Sequence, residues 1–164
     1  MPASASISRR QLLRGRASPP SFWPRPPGVS RDSALACTGC GLCVEKCPEN
    51  VLMLRDNRVA LAIGWGECSF CGECAEICPE PVFAPVRVMD HVLTITSDCL
   101  AQAGISCMSC RDACPENAIS MMPRIGGPFL PRLAADACTG CGACAMTCPS
   151  DAIIAQAKER PDEG

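Results

Sequence analysis

Cys138-Thr139-Gly140-Cys141-Gly142-Ala143-Cys144-Ala145-Met146-Thr147-Cys148-Pro149 is the stretch whose reading decides the rest of this chain. Three cysteines at steps of three are followed by a fourth after three more residues, and then by proline. That is the spacing with which bacterial proteins ligate a [4Fe–4S] cluster. Thiolates supply every donor atom, and the glycines let the backbone curl round a cube-like cofactor with no Cβ in the way. The run occurs four times. The first copy is Cys37, Cys40, Cys43 and Cys47 before Pro48, and the second is Cys68, Cys71, Cys74 and Cys78 before Pro79. The third is stretched: Cys99, then seven residues, then Cys107, Cys110 and Cys114 before Pro115. Cys138, Cys141, Cys144 and Cys148 make the fourth. Four sets of four consume all 16 cysteines, so no thiol remains for catalysis or for a disulfide.

A chain of 164 residues has room for one or two small domains. Tyrosine is absent and aromatic residues make up 4%, so the core is thin and calls for cross-links or metal. Tight clustering of the cysteines, without a secretory signal that has an apolar centre, argues against a disulfide scaffold. Sulfur-only donors suit iron–sulfur clusters, zinc or Cu(I). Three cysteines within seven residues fit a cubane better than a single tetrahedral ion held by paired knuckles. No run of about 18 apolar residues is present, so no membrane span is expected.

The formal charge of −2 conceals an asymmetry. Residues 1–31 hold six arginines and no acid, for +6, which leaves nine basic residues against 17 acidic ones, or −8, in the remainder. Each four-thiolate cluster adds roughly −2 in its oxidised form. An acidic body of this kind is not expected to take nucleic acid as a partner.

Residues 1–34 are rich in Pro, Ser and Arg and are expected to be a disordered basic tail. Within it, Ser8-Arg9-Arg10-Gln11-Leu12-Leu13 looks like a twin-arginine export signal, but the chain continues into Arg14, Arg16, Pro19 and Pro20 where such a signal needs an apolar stretch. A ferredoxin-like dicluster unit is expected over 35–86, a second over 87–155, and a frayed charged tail over 156–164. Three residues between the third and fourth cysteines give one helical turn, which the proline then stops. Apolar pairs follow (Val51-Leu52, Val82-Phe83, Ala118-Ile119, Ile153-Ile154), and Arg58–Ile63 and His91–Thr96 alternate as strands. The fold class is α+β: tandem bacterial-ferredoxin-like dicluster units with short strands and short helices around [4Fe–4S] clusters.

In two-cluster ferredoxins the fourth cysteine of each run ligates the other cluster. Applied to neighbouring copies, this joins Cys78 to Cys37, Cys40 and Cys43, and Cys47 to Cys68, Cys71 and Cys74. It likewise joins Cys148 to Cys99, Cys107 and Cys110, and Cys114 to Cys138, Cys141 and Cys144. A nested scheme, copy one with four and two with three, competes. Adjacent pairing needs only local closure, but gaps of 20, 20 and 23 residues between copies do not separate the two. The long gap of the third copy marks either an exposed, labile or interacting site or a tolerated surface insertion.

No second chemical apparatus is visible, and no catalytic residue is assigned. His91 is the sole histidine and reads as a strand residue. No Gly-rich phosphate loop follows a strand. Trp65 and Phe70 are expected to shield the second copy from water, and Trp23 reads as an exposed linker residue.

Four copies with a stretched third (CLAQAGISCMSCRDACPENAI), together with SRRQLLRG near the amino terminus, resemble the NapF family of ferredoxin-type proteins, over residues 8–15 and about 35–154. The resemblance implies a cytoplasmic, non-enzymatic protein with four [4Fe–4S] clusters on the 16 cysteines. It implies a role in maturing the catalytic molybdenum subunit of periplasmic nitrate reductase before export, by cluster loading or electron supply. An electron-transfer subunit of a membrane-associated or respiratory oxidoreductase complex is the alternative, and a metal-stapled interaction module without redox chemistry is a third.

Overall fold

The computed structural model describes residues 22–85 and 88–158. Its strands pair only in twos. β1 (Leu52–Arg55) and β2 (Arg58–Leu61) form a hairpin, as do β4 (Ile119–Met122) and β5 (Leu130–Leu133), while β3 (His91–Ile95) pairs antiparallel with β6 (Ile153–Ala157). Four helical turns stand beside them: α1 (Leu42–Lys46), α2 (Glu73–Glu76), α3 (Ser109–Asp112) and α4 (Ala143–Met146). Mixed short helices and small sheets agree with the expected α+β class.

The β1–β2 connection follows from its residues. Asp56 and Asn57 both take positive φ, at 48° and 59°, as a two-residue hairpin turn matched to strand twist requires. Arg55 therefore sits opposite Arg58, and Leu52 opposite Leu61. The strand expected over Arg58–Ile63 ends at Leu61, and Ala62 N–H donates to Val51 O, carrying the hairpin register one pair further. Ala134 N–H donates to Ala118 O in the same way in the second half.

In that second half β3 comes from before the cysteine loops and β6 from after them, so their pairing ties the unit shut. Its counterpart in the first half is irregular. Gly28 N–H donates to Val88 O and Ala84 N–H to Gly28 O, while Leu61 N–H donates to Pro24 O. Prolines lack the donor for a regular ladder but serve as an edge segment. Pro24, Pro26, Pro27 and Val29 are buried, and Ser33–Ala36 form a 3-10 turn. The expected disordered tail therefore does not extend over 22–34; that stretch closes the first unit. Trp23, expected as an exposed linker residue, is half-buried with the Arg55 guanidinium 4.6 Å from its ring centre. The second unit reaches Ala157, past the expected boundary at 155, and Lys158 N–H donates to Asp90 O. The twin-arginine-like stretch and residues 159–164 lie outside the described residues.

Two cores result, one per half. Val29, Val51, Leu61 and Val82 anchor the first, and Leu93, Ala101, Ile119 and Ile153 the second; Ile63 packs against both. Cysteines belong to each core: Cys43 in the first, and Cys99, Cys110, Cys144 and Cys148 in the second. Among the described residues no helix is long and apolar enough to cross a membrane.

An ion pair clasps the halves together. Arg25, from the proline-rich segment, bonds Asp90 at the start of β3. Burial by itself would raise the Asp90 carboxyl, but its contacts with His91 and Arg25 outweigh this and hold it below its ordinary 3.8. A depressed folded value stabilises above the unfolded value and is lost as pH falls through the folded one. Asp90→Asn is thus expected to lower the stability of the loaded protein by about 1–3 kcal/mol. Melting curves should show a gap that is flat from pH 8 to 5 and closes only below about 3.8.

Candidate metal centres

Each cysteine loop is built the same way. Its third cysteine (Cys43, Cys74, Cys110 or Cys144) is the second residue of a helical turn, α1 to α4 respectively. Three of the turns are entered from a glycine in the left-handed region: Gly41 at φ 86°, Gly72 at 87° and Gly142 at 95°. The stretched copy enters instead from Met108 at φ −132°, so its difference from the other three extends to the backbone.

Three cavities are lined by cysteines, each by the triad of one loop and the fourth cysteine of the neighbouring copy. Cys37, Cys40 and Cys43 meet Cys78 beneath Leu54, Val59 and Phe83. Cys68, Cys71 and Cys74 meet Cys47 against Pro26, Pro27 and Phe70. Cys138, Cys141 and Cys144 meet Cys114 under Leu93, Ile119 and Leu133. In the remaining set Cys99, Cys110 and Cys148 share the second core, together with Cys144, and Cys99 and Cys107 are neighbours of Cys110. These sets join neighbouring copies, as adjacent pairing expects.

Burial and crowding dominate the thiols. Burial first, then Cys37, Cys78 and Cys40, push Cys43 up to about 11. Cys74 and Cys110 also reach about 11, each with burial as the largest cause. Cys144 is pushed to about 12 by burial and by Cys138, Cys141, Cys114 and Cys110. Four thiolates cannot share such a place without a cationic centre to neutralise them, and the proton is what a metal displaces. Thiols ringed about a cavity make a sulfur-only donor set of the kind an iron–sulfur cluster takes.

The fourth cysteines receive further support. Ala118 N–H donates to Cys114 Sγ and Ala152 N–H to Cys148 Sγ, both at 3.3 Å. Asn117 (φ 51°) and Asp151 (φ 52°) turn those amides towards the sulfur, and Asn50 (φ 54°) holds the same place in copy one. Copy two has Pro81 there, which cannot reach positive φ, and its Val82 N–H bonds Glu80 O instead.

Two expectations about aromatic shielding divide. Phe70 is partly buried and lines the second cavity, as expected, whereas Trp65 is 59% exposed and lines none of the three cavities. Phe70 also takes φ 56° where copies one and four have Gly39 and Gly140, a strained conformation for a bulky residue. Aligning the copies would have flagged it. The long gap of copy three is partly core: Ala101 is fully buried and accepts a hydrogen bond from Arg124, while Ile105 is exposed.

His91 is a positioning residue that its lack of a side-chain partner in sequence could not reveal. It is fully buried, and its Nε2 lies 3.0 Å from Gly140 O. A carbonyl only accepts, so Nε2 carries the proton. Nδ1 faces Asp90 Oδ1 at 3.5 Å, and neither atom has another partner. Gly140, at φ 82°, leaves no room for a side chain: a Cβ would stand 2.9 Å from His91 Nε2. Gly140→Ala is expected to cost about 2–4 kcal/mol, combining the left-handed penalty with overpacking. Gly126→Ala, at φ 73° with nothing within 4 Å, should cost only the first, roughly 1–2 kcal/mol; equal losses in urea titrations would refute the clash.

Comparison with known proteins falls on the same residues. A family model described as a 4Fe-4S dicluster domain matches residues 36–83, and another of that description matches residues 105–152. The latter begins inside the long gap and leaves Cys99 outside it. The chain is 38% identical over 154 residues to the ferredoxin-type protein NapF of Escherichia coli, covering 91% of this chain and 94% of that protein. It is 39% identical over 163 residues to the ferredoxin-type protein NapF of Haemophilus influenzae, covering 90% and 93%. The methylamine utilization ferredoxin-type protein MauM of Methylobacillus flagellatus is 32% identical over 166 residues, covering 87% of this chain and 71% of that protein.

Proposed function

Because this chain belongs to the NapF family of ferredoxin-type iron–sulfur proteins, we propose that it holds four [4Fe–4S] clusters and serves, in the cytoplasm, the maturation of the catalytic molybdenum subunit of periplasmic nitrate reductase. The observation that carries the reading is the meeting, in three of the four sets, of one loop's three thiols with one from the neighbouring copy about a shared cavity. The ligands are then Cys37, Cys40, Cys43 and Cys78; Cys47, Cys68, Cys71 and Cys74; Cys99, Cys107, Cys110 and Cys148; and Cys114, Cys138, Cys141 and Cys144. Such clusters supply one-electron exchange.

The chain's own residues do the rest. Burial of Cys43, Cys110 and Cys144 keeps water from those thiolates, and Pro26, Pro27 and Phe70 wall the second site. The amides of Ala118 and Ala152 lend hydrogen bonds to Cys114 and Cys148, one of the levers that set potential. With all 16 thiols engaged as ligands, no thiol remains as a nucleophile, and the role is electron or cluster delivery rather than catalysis.

Iron and sulfide counting with EPR on anaerobically purified protein tests the cofactors; about 16 irons per chain are expected, and colourless protein holding zinc would overturn the reading. Capture of the catalytic molybdenum subunit from cytoplasmic but not periplasmic extract tests the role. Isolation as a stoichiometric part of an active oxidoreductase would establish the electron-transfer subunit in its place.

A further inference from the structure

The two halves touch through their ligand loops. Cys68 N–H donates to Cys141 O at 2.8 Å, so a residue of the second set is hydrogen-bonded to one of the fourth. The approach is close on both sides. A Cβ on Gly142 would stand 3.1 Å from Gly66 O and 3.4 Å from Ile63 Cδ1, and Ile63 packs against both cores. The other two sets lie away from this seam. The cavity of the Cys37 set is lined by first-half residues alone, and the backbone hydrogen bonds of the Cys99 loop, from Thr96 to Met108, stay within the second half.

Resting on the four-cluster reading above, the geometry points to an electron path that runs from the Cys37 set to the Cys68 set, crosses the Cys68–Cys141 hydrogen bond to the Cys138 set, and ends at the Cys99 set. Spatial order thus departs from chain order: the stretched third copy is a terminal port, and the fourth is an interior relay. Tunnelling falls steeply with separation, so contact between ligand residues is where an electron crosses. At the crossing one electron leaves the centre of the Cys68 set, which is oxidised, and enters that of the Cys138 set, which is reduced. No bond forms or breaks and no proton moves. A one-electron reductant feeds one port and a one-electron acceptor drains the other.

The test strips one centre at a time from the full chain, reduces it with dithionite and reads spin coupling by EPR. Cys71→Ser and Cys141→Ser each remove an interior centre and should each strand one terminal centre, seen as a single uncoupled rhombic signal. Cys40→Ser and Cys107→Ser remove a terminal centre and should leave every remaining signal coupled. A path in chain order predicts the reverse for Cys107→Ser and Cys141→Ser, and halves that do not communicate predict an uncoupled signal in Cys40→Ser; either result overturns the inference. Each variant should keep about twelve irons. Cys138→Ser and Cys99→Ser strip the same two second-half centres and replace a variant that fails to load. Wild-type protein far short of about 16 irons would instead sink the four-cluster reading itself, and so the two failures are told apart.

Discussion

Stripped of its clusters under reducing conditions, the protein is expected to lose cooperative unfolding altogether. Its helices are four or five residues long and its sheets two-stranded, and elements of that size are marginal in water without packing. The packing is slight as well. Leu61, His91, Val51, Val82 and Pro26 are its largest fully buried side chains, and five cysteines complete the cores. Thiolate sites of this kind contribute on the order of 10 kcal/mol each when metal binds, which is comparable with the whole stability of an ordinary domain at about 5–15 kcal/mol. The binding energy is therefore the folding energy. Urea titration of chelator-treated protein by circular dichroism should show a shallow, featureless decline where the loaded form shows a sigmoid. A sharp transition in the iron-free protein would disprove this.

Cys148→Ser should unload the site of the Cys99, Cys107 and Cys110 loop and leave its own loop intact. Cys114, and not Cys148, joins Cys138, Cys141 and Cys144 about their cavity, and Cys148 shares the second core with Cys99 and Cys110. A serine hydroxyl holds the volume but gives up the thiolate, so the variant should lose about a quarter of its iron. Alkylation followed by mass spectrometry identifies which site emptied. Cys99, Cys107 and Cys110 should become modified in Cys148→Ser, and Cys138, Cys141 and Cys144 in Cys114→Ser. Modification of the variant's own loop in either case would show that each run closes its own site.

The four cysteine loops were legible because their spacing repeats, and a left-handed glycine or a stopping proline beside them marks where each helical turn begins and ends. The crossing between copies was legible as a preference, and the cavities bear the adjacent scheme. Residues 22–34 misled because proline-rich, arginine-rich composition is shared by solvated tails and by edge segments that forgo a donor. Only the partners Val88, Ala84 and Leu61, up to 60 positions away, distinguish the two. His91 was illegible for a similar reason: its partner is the backbone of Gly140, and backbone carbonyls leave no trace in residue identity. Trp65 was over-read, since proximity in sequence to a cysteine loop does not say which way an indole points.

The closing segments also impose a timetable on synthesis. The first half is sealed by backbone bonds from Gly28 to Ala84 and to Val88, so it holds everything it needs soon after its eighth cysteine leaves the ribosome. The second half stays open until β6 arrives to pair with β3 over 60 residues later, and Asp90 waits as long for Lys158. Domains emerge and fold from the amino terminus onward. On the four-cluster proposal, two deliveries of iron and sulfide can thus be completed on a nascent chain while the thiols of the other half are still being made. A chain that stalls or is clipped before Ile153 would carry a finished half joined to an unsealed one.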